Sequence, residues 1–151
     1  MALKGRIDAD LKTAMLARDA FLTEVLRGLK SAILYQEVAL KNRDPGLDDA
    51  QIQELFAKEA KKRDESAELF DRGGNHKSAD KERREKVVIQ QYLPVQLSGA
   101  DLAKVVDEEI AATAAAGPQA MGQVIGKVRA RVGTSAEGVA IARLVKEKLG
   151  I

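Results

Sequence analysis

The sequence predicts an all-α protein. Apolar residues recur every three or four positions along most of the chain, which is the repeat of helices that bury one face. No run alternates apolar and polar residues with the β-branched content that indicates a strand. Aromatic residues make up only 3% of the chain. The core must therefore be built mostly from Leu, Ile, Val and Ala, as in helix-on-helix packing.

The apolar repeat indicates about four helices before Pro94. Their stripes cover residues 3–15, 22–40, 52–70 and 76–93. Asp48 and Gln51 have the spacing of a capping box, in which each side chain bonds the other residue's backbone amide, so a helix is predicted to begin there. The last of the four is charged at its start and apolar at its end, and Pro94 terminates it.

Three shorter helices are predicted after Pro94. Ser98 caps the first of them, and an Ala-rich stretch at 111–116 leads to Gly117 and Pro118, which break the chain. A turn at 133–135 separates the last two helices. The predicted architecture is a multihelical N-terminal domain at 1–94 followed by a small three-helix C-terminal bundle at 95–151.

Composition excludes several classes of protein. The chain of 151 residues has no Cys, so a disulfide framework, thiolate catalysis and a zinc ribbon are excluded. The first residues lack the apolar run of a signal peptide, and no stretch approaches the roughly 20 apolar residues of a membrane span. These features predict a soluble, cytoplasmic protein with no membrane partner.

Catalytic signals are weak. The single histidine, His76, follows Gly73, Gly74 and Asn75 in a polar segment, which is typical of a surface residue. With one His and no Cys, no nucleophile–base arrangement can be assembled, and no Gly-rich phosphate loop is present. The sequence therefore predicts no catalytic residue, no metal site and no cofactor.

Most basic residues lie beside acidic ones, and the sixth predicted helix is the exception. In the run at 58–65, Glu59 and Arg63 stand four residues apart, as ion-paired side chains on one helix face do. Between Glu109 and Glu137, by contrast, there is no Asp or Glu. This interval holds three basic residues that are predicted to be uncompensated, Lys127, Arg129 and Arg131.

Two glycines, Gly122 and Gly126, accompany these bases four residues apart. They leave a strip where another backbone can approach closely. One interpretation is a site for phosphates, which Lys and Arg contact without base-specific geometry. The other is that the glycines admit a neighbouring helix and the bases are merely exposed. The spacing alone leaves both interpretations open.

Several segments resemble one known family. They are residues 26–33 (LRGLKSAI), 58–70 (KEAKKRDESAELF), 92–98 (YLPVQLS) and 121–126 (MGQVIG), together with Gly73, Gly138 and Leu149. In this order they resemble the YqeY-like proteins across nearly the whole chain. That family is similar to the helical tail of GatB, a subunit of the tRNA-dependent amidotransferase that converts misacylated Glu- or Asp-tRNA to the amide form.

The resemblance implies two all-α domains, the second a GatB-tail-like bundle that helps to hold tRNA away from the chemistry. The candidate RNA contacts that it implies are Gly122, Gly126, Lys127 and the turn from Gly133 to Gly138. Relatives commonly carry a basic Lys-Gly-Arg-Ala-Asp-Gly turn, but residues 133–138 here read GTSAEG. Two turn bases are thus missing, and Arg129 and Arg131 are the candidates to replace them.

Three functions remain open at this stage. The first is a non-catalytic accessory module that binds tRNA, in association with an amidotransferase or another protein. The second is a protein-interaction module without RNA binding, in which the exposed face of the C-terminal bundle, with Val124, Val128 and their neighbours, docks a partner. The third is carbon–nitrogen ligase activity with glutamine as amido-N-donor, which the family label implies, although the chain lacks residues to perform it alone.

Overall fold

Seven α-helices make up the computed structural model of the chain, which describes residues 2–113 and 117–151. They are α1 (Leu3–Leu16), α2 (Ala20–Ala39), α3 (Asp49–Arg72), α4 (His76–Gln90), α5 (Gly99–Thr113), α6 (Met121–Val132) and α7 (Gly138–Leu149). Short 3₁₀ turns at Pro118–Ala120 and Gly133–Ser135 flank α6. No strand occurs among the described residues, so the all-α prediction is confirmed. Part of the predicted Ala-rich stretch, residues 114–116, lies outside the described residues.

Polar side chains cap two helices, α3 and α5, at the positions that the sequence predicted. The Asp48 side chain accepts from the Gln51 amide at 2.8 Å, and the Gln51 side chain accepts from the Asp48 amide at 3.0 Å, which confirms the capping box. Ser98 Oγ accepts from the Asp101 amide at 3.1 Å at the start of α5. These bonds satisfy amides that have no partner within the helix itself, and they fix where each helix begins.

The helices gather into two compact units, Met1–Leu93 and Pro94–Ile151. In the first unit α1 packs on α2, and α3 packs along α4. Its centre contains Phe56, whose ring meets the Tyr92 ring edge-on with centroids 5.9 Å apart. The Tyr92 hydroxyl donates to Asp10 Oδ2 at 2.6 Å. Burial and this carboxylate raise the pKa of the Tyr92 phenol, so the side chain stays neutral.

One carboxylate, that of Glu37, is buried in the first unit, with 6% of the residue exposed. It forms an ion pair with Lys4 and accepts from the Leu47 amide at 2.8 Å. The hydrogen bond from Lys4, then the one from Leu47, lowers the pKa of the Glu37 carboxyl against the opposing effect of burial. The pair thus ties α1 to α2 and to the segment that precedes α3.

In the second unit α5, α6 and α7 share one apolar core. Each helix contributes two buried residues, which are Leu102, Val106, Val124, Val128, Ile141 and Val145. Gly133 ends α6 with a φ of +54°, a conformation that disfavours residues with a side chain. That the two units are separate functional domains, divided as 1–94 and 95–151, stays a prediction.

Candidate nucleic-acid interface

The core-facing side of α6 contains Val124 and Val128. Both side chains are 0% exposed, because they fill the centre of the α5–α7 core. The expectation that these two valines are exposed for docking a partner is therefore wrong. Their apolar repeat correctly indicated one face of a helix. That face packs against α5 and α7.

The opposite side of α6 exposes Gly122 and Gly126. Successive residues turn by about 100° around a helix, which places both glycines away from Val124 and Val128. A Cβ added at either glycine would meet no atom within 4 Å. No helix of the unit packs against them, so the interpretation that they admit a neighbouring helix of this bundle is wrong. They form an exposed strip of bare backbone.

The three predicted bases of α6 have different surroundings. Arg131 pairs with Glu108 at 2.9 Å and with Glu109 at 3.2 Å, both on α5. These carboxylates raise the pKa of the Arg131 guanidinium. The prediction that Arg131 is uncompensated is thus wrong. Lys127 and Arg129 are exposed, and neither forms an ion pair with any residue that the structure describes.

Lys127 and Arg129 lie on the two borders of the glycine strip. By helix geometry, Lys127 is about 100° from Gly126 on one side, and Arg129 is about 60° from it on the other. The backbone of a bound partner that lay along the strip would therefore have a positive charge on either side. Gly122, Gly126 and Arg129 thus lie on one side of α6, whereas Lys127 lies nearer to Arg131, which is directed towards α5.

The turn after α6 is held in place by the segment before α5. The Leu97 amide donates to the Ser135 carbonyl at 2.8 Å, and Gln96 Nε2 donates to the Thr134 carbonyl at 2.9 Å. Gly133 and Gly138 lie on either side of these bonds and are exposed. The turn is thus positioned by backbone carbonyls rather than by side-chain charge, in keeping with the missing bases of the sequence.

Two basic residues of α7, Arg143 and Lys146, were missed by the sequence analysis. Both are exposed and form no ion pair within the described part of the chain. Lys148, two residues later, pairs with Asp107 of α5 at 2.9 Å. The helical repeat could have placed Arg143 and Lys146 opposite Ile141 and Val145. They were not considered because they follow Glu137 and so lie outside the acid-free interval.

His76 lies in an exposed ion-pair cluster at the corner between α3 and α4. Its Nδ1 is 2.7 Å from Asp71 Oδ1, and Arg83 pairs with the same carboxylate. The hydrogen bond from Arg83, then the one from His76, lowers the pKa of the Asp71 carboxyl. Among the described residues, no three His, Cys, Asp or Glu side chains are grouped to hold a metal ion. The described helices also include none that is both long and apolar enough to span a membrane.

Comparison with known proteins agrees with the resemblance noted in the sequence. The chain is similar to the altered inheritance of mitochondria protein 41, mitochondrial, of Lachancea thermotolerans, with 32% identity over 89 residues. This alignment covers 59% of the chain and 46% of that relative, so the chain matches about half of the relative's length. The model of the Yqey-like protein family matches residues 4–149. The chain therefore belongs to the YqeY-like family.

Proposed function

We propose that this protein is a non-catalytic accessory module that binds tRNA through its C-terminal three-helix unit, in a role related to tRNA-dependent amidotransferase. The observation that carries the proposal is the surface of α6, where the unpaired Lys127 and Arg129 border the exposed glycine strip. Phosphates are contacted by such cations without base-specific geometry, and bare backbone lets the sugar–phosphate chain approach closely.

The family supports this proposal over the alternatives. The tail of GatB, to which YqeY-like proteins are similar, helps to hold tRNA. The protein-docking alternative loses the two residues on which it was based, because Val124 and Val128 are buried. Ligase activity would require a nucleophile and a nucleotide-binding site. The sequence contains only one His, no Cys and no Gly-rich phosphate loop. A cytoplasmic location stays a prediction, since the name of the relative from Lachancea thermotolerans describes that protein as mitochondrial.

Helix stability is another reason for bases on α6. Arg129 and Arg131 lie in its last turn, where a positive charge stabilises the helix dipole by about 0.3–1 kcal/mol. This explanation and the RNA proposal predict different losses. If Arg129 serves the dipole alone, its neutralisation lowers the free energy of unfolding and leaves RNA binding unchanged.

Lys127→Gln/Arg129→Gln is expected to weaken binding of unfractionated tRNA by about tenfold, since two phosphate contacts are lost. The measurement is a filter-binding or fluorescence titration at one low salt concentration, with folding checked by circular dichroism. Lys104→Gln is the matched control. Lys104 is also exposed and without an ion pair in the described chain, but it lies on α5. Equal tRNA affinity in the double variant and the wild type would refute the proposal.

Gly126→Ala is expected to raise the free energy of unfolding by about 1 kcal/mol, because glycine in an exposed helix interior is less stable than alanine. The added Cβ meets no atom of the protein but projects from the strip proposed to face RNA, so tRNA affinity is expected to fall several-fold. Thermal unfolding and the same tRNA titration measure the two effects.

Gly28→Ala provides the control for this substitution. Gly28 is an exposed glycine within α2, and a Cβ there also meets nothing within 4 Å. It should give a similar gain in stability with unchanged tRNA affinity. A Gly126→Ala variant that is stabilised and binds tRNA as the wild type does would remove the glycine strip from the proposed site.

A further inference from the structure

Charge is segregated among the three helices of the second unit. The acids of α5 are Asp101, Asp107, Glu108 and Glu109, against the single base Lys104. Helix α6 has three bases and no acid, and α7 has three bases and one acid. One helix of the bundle is therefore acidic and two are basic.

Ion pairs show which sides of α6 and α7 lie next to α5. Arg131 of α6 pairs with Glu108 and Glu109, and Lys148 of α7 pairs with Asp107. Residues two apart on a helix differ by about 200° in direction. Arg129 and Lys146, each two residues before a paired base, consequently point away from α5.

Arg143 lies on the same outer side of α7 as Lys146, three residues earlier. Because α6 packs against α7, the outward bases of both helices share one side of the bundle. They form a surface that we call the α6–α7 basic face. Its members are Arg129, Arg143 and Lys146, all exposed. Lys127 is four residues before Arg131 and lies on the side of α6 nearer to α5.

The composition of this unit restricts the kind of RNA that the basic face can recognise. All five aromatic residues of the chain precede residue 94, namely Phe21, Tyr35, Phe56, Phe70 and Tyr92. Proteins that bind single-stranded RNA stack its bases on aromatic side chains, which this unit lacks, or on Arg guanidinium planes. Base-paired RNA has its bases stacked within the helix and is recognised through its shape, phosphates and 2′-hydroxyls.

We infer that the α6–α7 basic face, with Arg143 and Lys146 as additional contacts, binds the phosphate backbone of a base-paired RNA helix and does not stack unpaired bases. This inference rests on the proposed RNA-binding function and narrows its target to the paired arms of a folded RNA. The basic face contacts phosphates from both helices, and the exposed glycines let the backbone approach α6. Sequence preference is expected to be weak, because phosphates are the same at every position.

The test compares two RNAs on the full-length chain, an RNA hairpin of about 16 base pairs and an oligouridine with the same number of phosphates. The hairpin is expected to bind about tenfold more tightly, because the oligouridine offers phosphates but no helix. Arg143→Gln/Lys146→Gln should weaken hairpin binding about tenfold and make the slope of log K against log salt shallower by about 1.8, or about 0.9 for each lost contact. Lys104→Gln should change neither value.

Two results would overturn this inference while leaving the proposed function intact. One is oligouridine binding as tight as hairpin binding in the wild type. The other is unchanged hairpin affinity and salt slope in Arg143→Gln/Lys146→Gln, with circular dichroism showing that the variant is folded. Failure of the wild type to bind any RNA, unfractionated tRNA included, at low salt would instead overturn the proposed function as well.

Discussion

Val128→Asp is expected to unfold the second unit and to abolish its RNA binding. Val128 is fully buried between α5 and α7, so the substitution places a carboxylate in an apolar core with no cation to pair it. Burying an unpaired charge costs about 4 kcal/mol or more. A unit of this size has little stability to lose, because small domains bury a smaller fraction of their surface.

Amide hydrogen exchange measures this effect residue by residue. Amides in α5, α6 and α7 are expected to lose their protection in Val128→Asp, while those of α1–α4 keep it. The two cores share no residue, which is the basis for this difference. Arg129→Asp, a charge on the exposed side of the same helix, is the folded control. If Val128→Asp kept α5–α7 protected, Val128 would be a surface residue after all, and a docking role for it would return.

Lys4→Met is expected to lower the free energy of unfolding at neutral pH by about 2 kcal/mol. The substitution leaves the buried Glu37 carboxylate without its cation and with only the Leu47 amide as a hydrogen-bond donor. Breaking a fully buried ion pair costs more than this and a surface pair less, and the Lys4 side chain is 38% exposed. Denaturant unfolding measures the loss, with Lys12→Met, an exposed position of α1, as the control.

The same variant should respond differently to acid. In the wild type the pKa of Glu37 is lowered by Lys4 and then by the Leu47 amide, so the folded state releases this proton more readily than the unfolded state. The resulting stabilisation is present above the unfolded-state pKa of about 4.3 and is lost as pH falls through the folded-state pKa. The difference between wild type and Lys4→Met should therefore narrow between pH 7 and pH 3. A constant difference across that range would show that Lys4 acts through packing alone.

Helix positions could be predicted from the sequence because their signals are local. The apolar repeat and the helix caps act within one or two turns of a helix. They can therefore be recognised in the sequence without knowledge of the fold, as the caps at Asp48 with Gln51 and at Ser98 show. The buried acid of α2 could not be identified from such a local signal. Glu37 is buried because Lys4, 33 residues earlier, and the Leu47 amide satisfy it, and no local pattern reports such partners.

The candidate site could be predicted only in part, for the same reason. The acid-free interval drew attention to α6, but it compared Arg131 only with residues near it in sequence. Its partner Glu109 lies 22 residues earlier and comes close through the packing of α5 on α6. An apolar stripe likewise shows that Val124 and Val128 are covered without showing what covers them. The helical repeat could have placed Arg143 and Lys146 on the outer side of α7, and the ion pair between Lys148 and Asp107 shows which side of α7 faces α5.

The most direct test of RNA binding by the α6–α7 basic face is the salt dependence of tRNA affinity in the wild-type protein. If the three bases of this face and Lys127 of α6 each contact a phosphate, log K should fall with log salt with a slope of about −3 to −4. Counterions released from the RNA produce this slope, so it reports the number of contacts independently of the absolute affinity. A slope of this size is the predicted result. A slope near zero, or no binding at the lowest salt, would contradict an electrostatic tRNA interface on α6 and α7.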